Sequence, residues 1–246
     1  MTPDFQLIRL LADYSGHAYA DATVNNARTG AAAIIAPINL PDASPAIIVA
    51  FRGSRSLLDF IHDAECYFAS YVRNGEVGRV HSGFLADFES IKAEVISRVV
   101  SFRKLYPTAK IYVTGHSLGG ALAILAALEL RWQQLTPAMV VTFGQPRVGN
   151  NLFAQFYNAQ LREITWRVVN QNDVVPRTPG WLWPFPYRHC GQEILLDEWG
   201  SYDVNPPLAC KLFVDALGLW RAYSKREDVL IREHFIQAYQ EMLEAE

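Results

Sequence analysis

The stretch KIYVTGHSLGGALAILAALEL, Lys110 to Leu130, decides how this sequence folds. A short apolar run, KIYV, reads as a strand, and ALAILAALEL reads as a helix. Between them stands Gly115-His116-Ser117-Leu118-Gly119, a G-x-S-x-G pattern. In a strand–turn–helix setting the serine occupies a strained turn that pushes its hydroxyl out of the sheet. Glycines two before and two after it leave room where a Cβ would strike the neighbouring strand or helix. The amides that open the helix, beginning with Leu118 N–H, then face any developing oxyanion. The plainer alternative is a glycine-rich helix start capped by a serine side chain. His116 adjoins Ser117, but adjacent residues on such a turn point apart, so His116 is predicted to pack rather than act as a base.

The same alternation extends outward. AAAIIA (Ala31 to Ala36), AIIVAFRG (Ala46 to Gly53), AMVVTFG (Ala138 to Gly144) and ITWRVVN (Ile164 to Asn170) read as strands. Helical patterns cover Gly83 to Leu105, Leu118 to Gln134 and Asn150 to Leu161. Unbroken apolar strands alternating with amphipathic helices predict an α/β fold, its mostly parallel sheet covered on both faces. Functional groups are then expected at the carboxyl ends of the strands. Neither a Gly/Ser- or Pro-rich linker nor a repeat divides the chain, which is read as one domain, 1–246. The start, MTPDFQLIRLLADYSGHAYA, reads as an amphipathic helix with Phe5, Leu7, Ile8 and Leu11 on one side, and not as a signal peptide.

Composition excludes several classes. With 246 residues, 50% hydrophobic and 19% charged, the chain has material for a large core and is not disordered. A net charge of −3 without any basic run argues against a nucleic-acid partner. The longest apolar run, ALAILAAL from Ala121, is far too short for a transmembrane segment. Cys66, Cys190 and Cys210 are far apart and form no C-x-x-C pair, so free thiols are expected rather than a disulfide framework or zinc site.

A serine nucleophile needs a base, and the base needs a carboxylate to hold its tautomer. On this type of sheet the order is Ser, then Asp or Glu, then His. Only His189 and His234 follow Ser117, with Asp173, Asp197, Asp203, Asp215 and Asp228 as candidate aspartates. Asp173, in VVNQNDVVPRTP, falls just past the strand ITWRVVN, where an active group is expected. His189, in YRHCGQEILL, reads as a structural histidine on a strand. His234 stands late, on a loop before a terminal amphipathic helix, and is the preferred base.

Five motifs carry a resemblance: FRGSRS (Phe51 to Ser56), HSGF (His81 to Phe84), TGHSLGGALA (Thr114 to Ala123), FGQPRVGN (Phe143 to Asn150) and NDVVPR (Asn172 to Arg177). In this order they resemble the class 3 triacylglycerol lipases of filamentous-fungal type, in the α/β-hydrolase superfamily. The resemblance covers roughly Ala46 to His234. It implies an α/β-hydrolase fold with Ser117 as nucleophile, Asp173 as acid and His234 as base. Separations of 56 and 61 residues between them are similar to the family's. It further implies that Ser54 and Leu118 supply the oxyanion donors. A lid helix is implied over SLLDFIHDAECYF (Ser56 to Phe68), with Leu57, Leu58, Phe60 and Ile61 as its apolar members; an ordinary buried helix is the alternative. No cofactor or metal is implied. The expected partner is a lipid or other ester, met at an oil–water interface.

The chain departs from the family in two respects. Secreted fungal members carry a leader and several disulfides, for which this chain shows no equivalent, so location stays open. The residue before His234 is Glu233, where the family usually has Asp. The aromatic stretch WLWPFPY, Trp181 to Tyr187, reads equally as an acyl-pocket or lipid-contacting loop and as a core cap. Within ester hydrolysis, a short-chain carboxylesterase, a phospholipase A1 and a feruloyl-type esterase remain open beside the lipase. A catalytically dead lipid-binding protein is the alternative outside enzymes.

Overall fold

A computed structural model describes residues 2–54, 67–72, 75–179, 186–197, 201–207 and 232–244. In chain order the elements are helix α1 (Phe5–His17), strands β1 (Val24–Asn25), β2 (Ala32–Asn39), β3 (Pro45–Phe51), β4 (Phe68–Val72) and β5 (Glu76–His81), helix α2 (Ser82–Leu105), strand β6 (Lys110–His116), helix α3 (Leu118–Trp132), strand β7 (Met139–Phe143), helix α4 (Asn151–Leu161), strands β8 (Thr165–Asn170), β9 (Gln192–Leu196) and β10 (Tyr202–Val204), and helix α5 (Ile236–Glu244). Eight strands form one sheet in the order β1-β2-β3-β6-β7-β8-β9-β10, and β4 and β5 pair separately.

From β3 through β6, β7 and β8 to β9 every pairing is parallel. The expected mostly parallel sheet is therefore present. Its edges are antiparallel, because β2 meets β3 across a turn of only five residues (40–44). A parallel return needs a crossover of about a dozen residues or more. β9 begins at Gln192, so His189 lies ahead of the strand rather than on it. There its Nε2 pairs with Pro176 O at 2.8 Å, a structural bond as anticipated.

Alternate residues of each central strand feed different layers, as the period of two requires. Ile111 and Val113 of β6 join α2, α3 and α4 in one core; Tyr112 joins α1 and α5 in the other. Helix α3 is apolar all round and every residue from Gly119 to Leu130 is buried, the mark of a helix enclosed on all sides. Helix α1 inserts Ile8 and Leu11, both at 0% exposure, each contributing about 1.5–3 kcal/mol by burial. It starts where Asp4 caps Leu7 N–H at 3.1 Å.

Among the described residues no helix is long and apolar enough to cross a membrane. Cys190 is a buried free thiol whose pKa is pushed up to about 12 by that burial. Cys66 and Cys210 lie outside the described residues.

Candidate active site

Ser117 sits between β6 and α3 at φ 57° and ψ −129°. A non-glycine residue in this region is strained by about 1–3 kcal/mol and persists only where its surroundings over-determine it. Here the surroundings do so. Ser117 N–H donates to Phe143 O at 2.9 Å, and Gly120 N–H returns to Ser117 O at 2.9 Å. The flanking glycines meet the expectation of close approach. A Cβ on Gly115 would lie 2.2 Å from Gly119 O, and one on Gly119 would lie 2.2 Å from Phe51 O. Although Ser117 is the N-cap residue of α3, its side chain makes no cap hydrogen bond among the described residues. The serine-cap alternative thus fails, and the hydroxyl is left available.

Asp173 follows β8 and is fully buried. Its carboxylate accepts three hydrogen bonds: Val175 N–H to Oδ1 at 2.8 Å, and His234 Nδ1–H and Tyr239 O–H to Oδ2 at 2.7 and 2.6 Å. Three donors on one carboxylate replace the water that burial removed. With Nδ1–H directed at Asp173, Nε2 is the acceptor nitrogen of a neutral His234 ring. It is buried and has no hydrogen-bond partner among the described residues.

Backbone contacts hold the two residues in place. Asn170, ending β8, donates Nδ2–H to Glu233 O at 3.0 Å and to the Glu233 carboxylate at 3.1 Å. Glu233, the departure from the family's usual Asp, therefore serves as a second anchor for that segment, which is helical over 232–234 and breaks at Phe235 rather than forming the expected loop. Arg177 donates to the main-chain carbonyls of Asp173 and of Gln171. Gly144, at φ 56°, leaves Asp173 and His234 their space. A Cβ there would lie 2.9 Å from both Asp173 Oδ2 and His234 Cε1.

Ser117, His234 and Ser54 line one cavity of about 450 Å³, with Gly16, Tyr19, His116, Phe235, Ile236 and Gln237 completing its wall. Phe235 is half exposed and Ile236 buried, so one side of the cavity is apolar. Ser54 stands just beyond β3, and Leu118 is the first residue of α3, where backbone N–H groups lack intrahelical partners. His116 packs as anticipated: it is buried, its ring centroid 4.6 Å from that of His234. Its pKa lies well below the ordinary value, first through burial and then through the neighbouring His234.

Leu57, Leu58, Phe60 and Ile61 of the expected lid lie outside the described residues, as do Trp181 to Phe185 of the aromatic stretch. The described end of the expected lid helix is not helical: Phe68 instead opens strand β4, where pairing with β5 extends the chain, and it stacks at 4.3 Å on Tyr187, which is fully buried. The end of WLWPFPY is thus a core cap. Among the described residues no cluster of His, Cys, Asp and Glu could hold a metal ion.

Sequence reasoning did not single out Tyr239, Asn170 or Gly144. The placing of Tyr239 three and five residues beyond Ile236 and His234, on the buried side of a terminal amphipathic helix, was the one signal available for it.

Residues 48–183 match the family model for class 3 lipases. This chain belongs to the class 3 lipase family. It is 38% identical over 161 residues to a lipase of Rhizomucor miehei, spanning 64% of this chain and 43% of that one. It is also 38% identical over 176 residues to secreted mono- and diacylglycerol lipase 1 of Fusarium solani, spanning 71% of this chain and 50% of that one. The chain thus spans half the length or less of these relatives. The solved Rhizomucor miehei lipase, in its propeptide complex, superposes with a TM-score of 0.70 at 28% identity, covering 83% of this chain and 73% of that one. The α/β-hydrolase fold is shared with it. The family match contains Ser54, Ser117, Leu118 and Asp173 but ends before His234, so the case for His234 rests on its hydrogen bond to Asp173.

Proposed function

We propose that this domain hydrolyses carboxylic esters of lipids, with triacylglycerol as the leading substrate, through an acyl-enzyme on Ser117. The observation that carries the reading is the pairing of His234 with buried Asp173, which leaves Nε2 without a partner among the described residues, on a residue that lines the same cavity as Ser117. Ser117 Oγ attacks the ester carbonyl while His234 Nε2 takes its proton. Asp173 holds the ring and stabilises the imidazolium. The oxyanion is received by the Leu118 and Ser54 amides, each such donor being worth about 10²–10³ in rate. His234 then passes its proton to the leaving alcohol. In the second half it takes a proton from water as the water attacks the acyl carbonyl, then returns that proton to Ser117 Oγ as the Oγ–acyl bond breaks, releasing the acid and free Ser117. The apolar wall at Phe235 and Ile236 suits an acyl or other hydrocarbon group.

The test is tributyrin hydrolysis measured across the solubility limit, with Ser117→Ala as the paired control. Ser117→Ala should lower turnover by about 10⁶ while the protein stays folded. A rise in rate as droplets form supports a lipase, and smooth saturation below the limit identifies a soluble-ester carboxylesterase instead. A folded wild type that hydrolyses no ester and takes no fluorophosphonate on Ser117 would refute the enzyme reading and leave a lipid-binding protein.

A further inference from the structure

Side chains from the ends of β6 and β8, which flank β7 in the sheet, grip consecutive carbonyls of the short helical segment that carries His234. Asn170, at the end of β8, donates to Glu233 O at 3.0 Å, and His116 Nε2, at the end of β6, lies 2.6 Å from His234 O. A carbonyl only accepts, so the proton of that second bond belongs to His116 Nε2. In a neutral imidazole the other nitrogen is then an acceptor. Tyr19 O–H, 2.8 Å from His116 Nδ1, is the donor that satisfies it. The chain of bonds therefore has one direction: Tyr19 O–H to His116, and His116 Nε2–H to His234 O.

The same face of β6 explains how the chain is held. Thr114, two residues before His116 and so on the same side of the strand, bonds Ser15 of α1 at 2.8 Å in a buried contact. Helix α1 also reaches α5, where Arg9 Nε donates to Leu243 O at 2.6 Å and Asp13 accepts from Gln240 at 2.9 Å. Tyr19 follows α1 directly. The N-terminal helix thus ties the strand that presents Ser117 to the helix that follows His234.

We propose that His116 is a positioning residue for His234: its Nε2–H, oriented by Tyr19, fixes the His234 main chain, and with it the distance from the His234 ring to Ser117. This rests on the reading of His234 as the base. Neutrality suits the task, since a cation 4.6 Å from the His234 ring would oppose the imidazolium that forms there during the reaction. Asp173 fixes how the ring is turned; His116 fixes where it stands.

The experiment compares His116→Phe, which keeps an aromatic face against His234 but donates nothing, with His116→Gln, whose amide restores a neutral donor. Turnover and KM are measured on a soluble p-nitrophenyl ester, with thermal unfolding in parallel. Since a displacement of about 1 Å costs roughly 10²-fold in rate, His116→Phe should lower kcat by about 10- to 100-fold and leave KM within about twofold. His116→Gln should recover most of that loss. Tyr19→Phe should lower kcat in the wild type but not further in His116→Phe, because the two act as one unit; a second fall would mean that Tyr19 acts directly on substrate and would overturn its assigned role. Folded His116→Phe with wild-type kcat, or equal losses in Phe and Gln variants, overturns the proposal. If His116→Phe does not fold, Tyr19→Phe decides alone, and an unchanged kcat overturns it. His234→Ala separates the layers: retained kcat there refutes the base itself, whereas its loss beside an intact His116→Phe refutes only the positioning role.

Discussion

Replacing Gly144 by Ala tests the geometry of the proposed acid–base pair, Asp173 and His234, with a single methyl group. Gly144 follows β7 at φ 56°, and its N–H donates to Val168 O at 3.1 Å. An L-residue held in that left-handed conformation costs about 1–2 kcal/mol. The new Cβ would also lie 2.9 Å from Asp173 Oδ2 and from His234 Cε1, where ordinary contact begins near 3.4 Å. Neither neighbour can swing away freely. The carboxylate is held by Val175 N–H and Tyr239 O–H, and the imidazole by the carboxylate. Something must therefore move by about half an ångström, and at roughly 10²-fold per ångström this costs about tenfold in kcat. The thermal midpoint should fall by about 2–8 °C, taking about 2–4 °C for each kcal/mol in a chain of this size. The assay is steady-state hydrolysis of a soluble p-nitrophenyl ester beside a thermal melt. KM should hardly change, because the methyl group enters behind the pair and not in the cavity. A variant with wild-type kcat would refute the argument that this pair works only in its present place; a lowered midpoint alone would mean that Gly144 answers only to backbone strain.

Two further outcomes follow from buried polar groups. Tyr239→Phe removes a donor to Asp173 and leaves Asn170 N–H, which bonds the Tyr239 hydroxyl at 3.2 Å, without that acceptor. Unfolding in guanidinium should show a loss of about 2 kcal/mol, the usual scale for a hydrogen bond to a charged group, and no measurable loss would contradict the bonding described. Asp87, on α2, has its carboxyl raised by burial to about 6. Between pH 4 and 6 the folded chain then holds a proton that the unfolded chain has lost, so this group's contribution to stability falls as pH rises through that range. Asp87→Asn should raise the melting midpoint at pH 8, with the gain vanishing below pH 4; an equal shift at both values would show that charge is not the cause.

What could be read along the chain was local. The strand, the strained serine and helix α3 are consecutive from Lys110 to Trp132, and each local preference points the same way. The position of Asp173, the proposed acid, was legible because strand ends collect functional groups, and β8 ends three residues before it. The antiparallel edge was not legible from the apolar runs alone, since β2 and β3 are as unbroken as the parallel strands. Only the length of the turn between them carries the direction.

The sequence by itself therefore determined the family, the α/β alternation and the strained strand–turn–helix around Ser117, because these depend on residues within a few positions of one another. Tertiary structure decided the rest. His234 meets Asp173 across 61 residues, Tyr239 meets it across 66, and Tyr19 meets His116 across 97. No periodicity records such pairings. They exist because the sheet brings the ends of β6 and β8 together beneath α1 and α5, where a buried polar group must find its partner from whatever part of the chain the packing delivers.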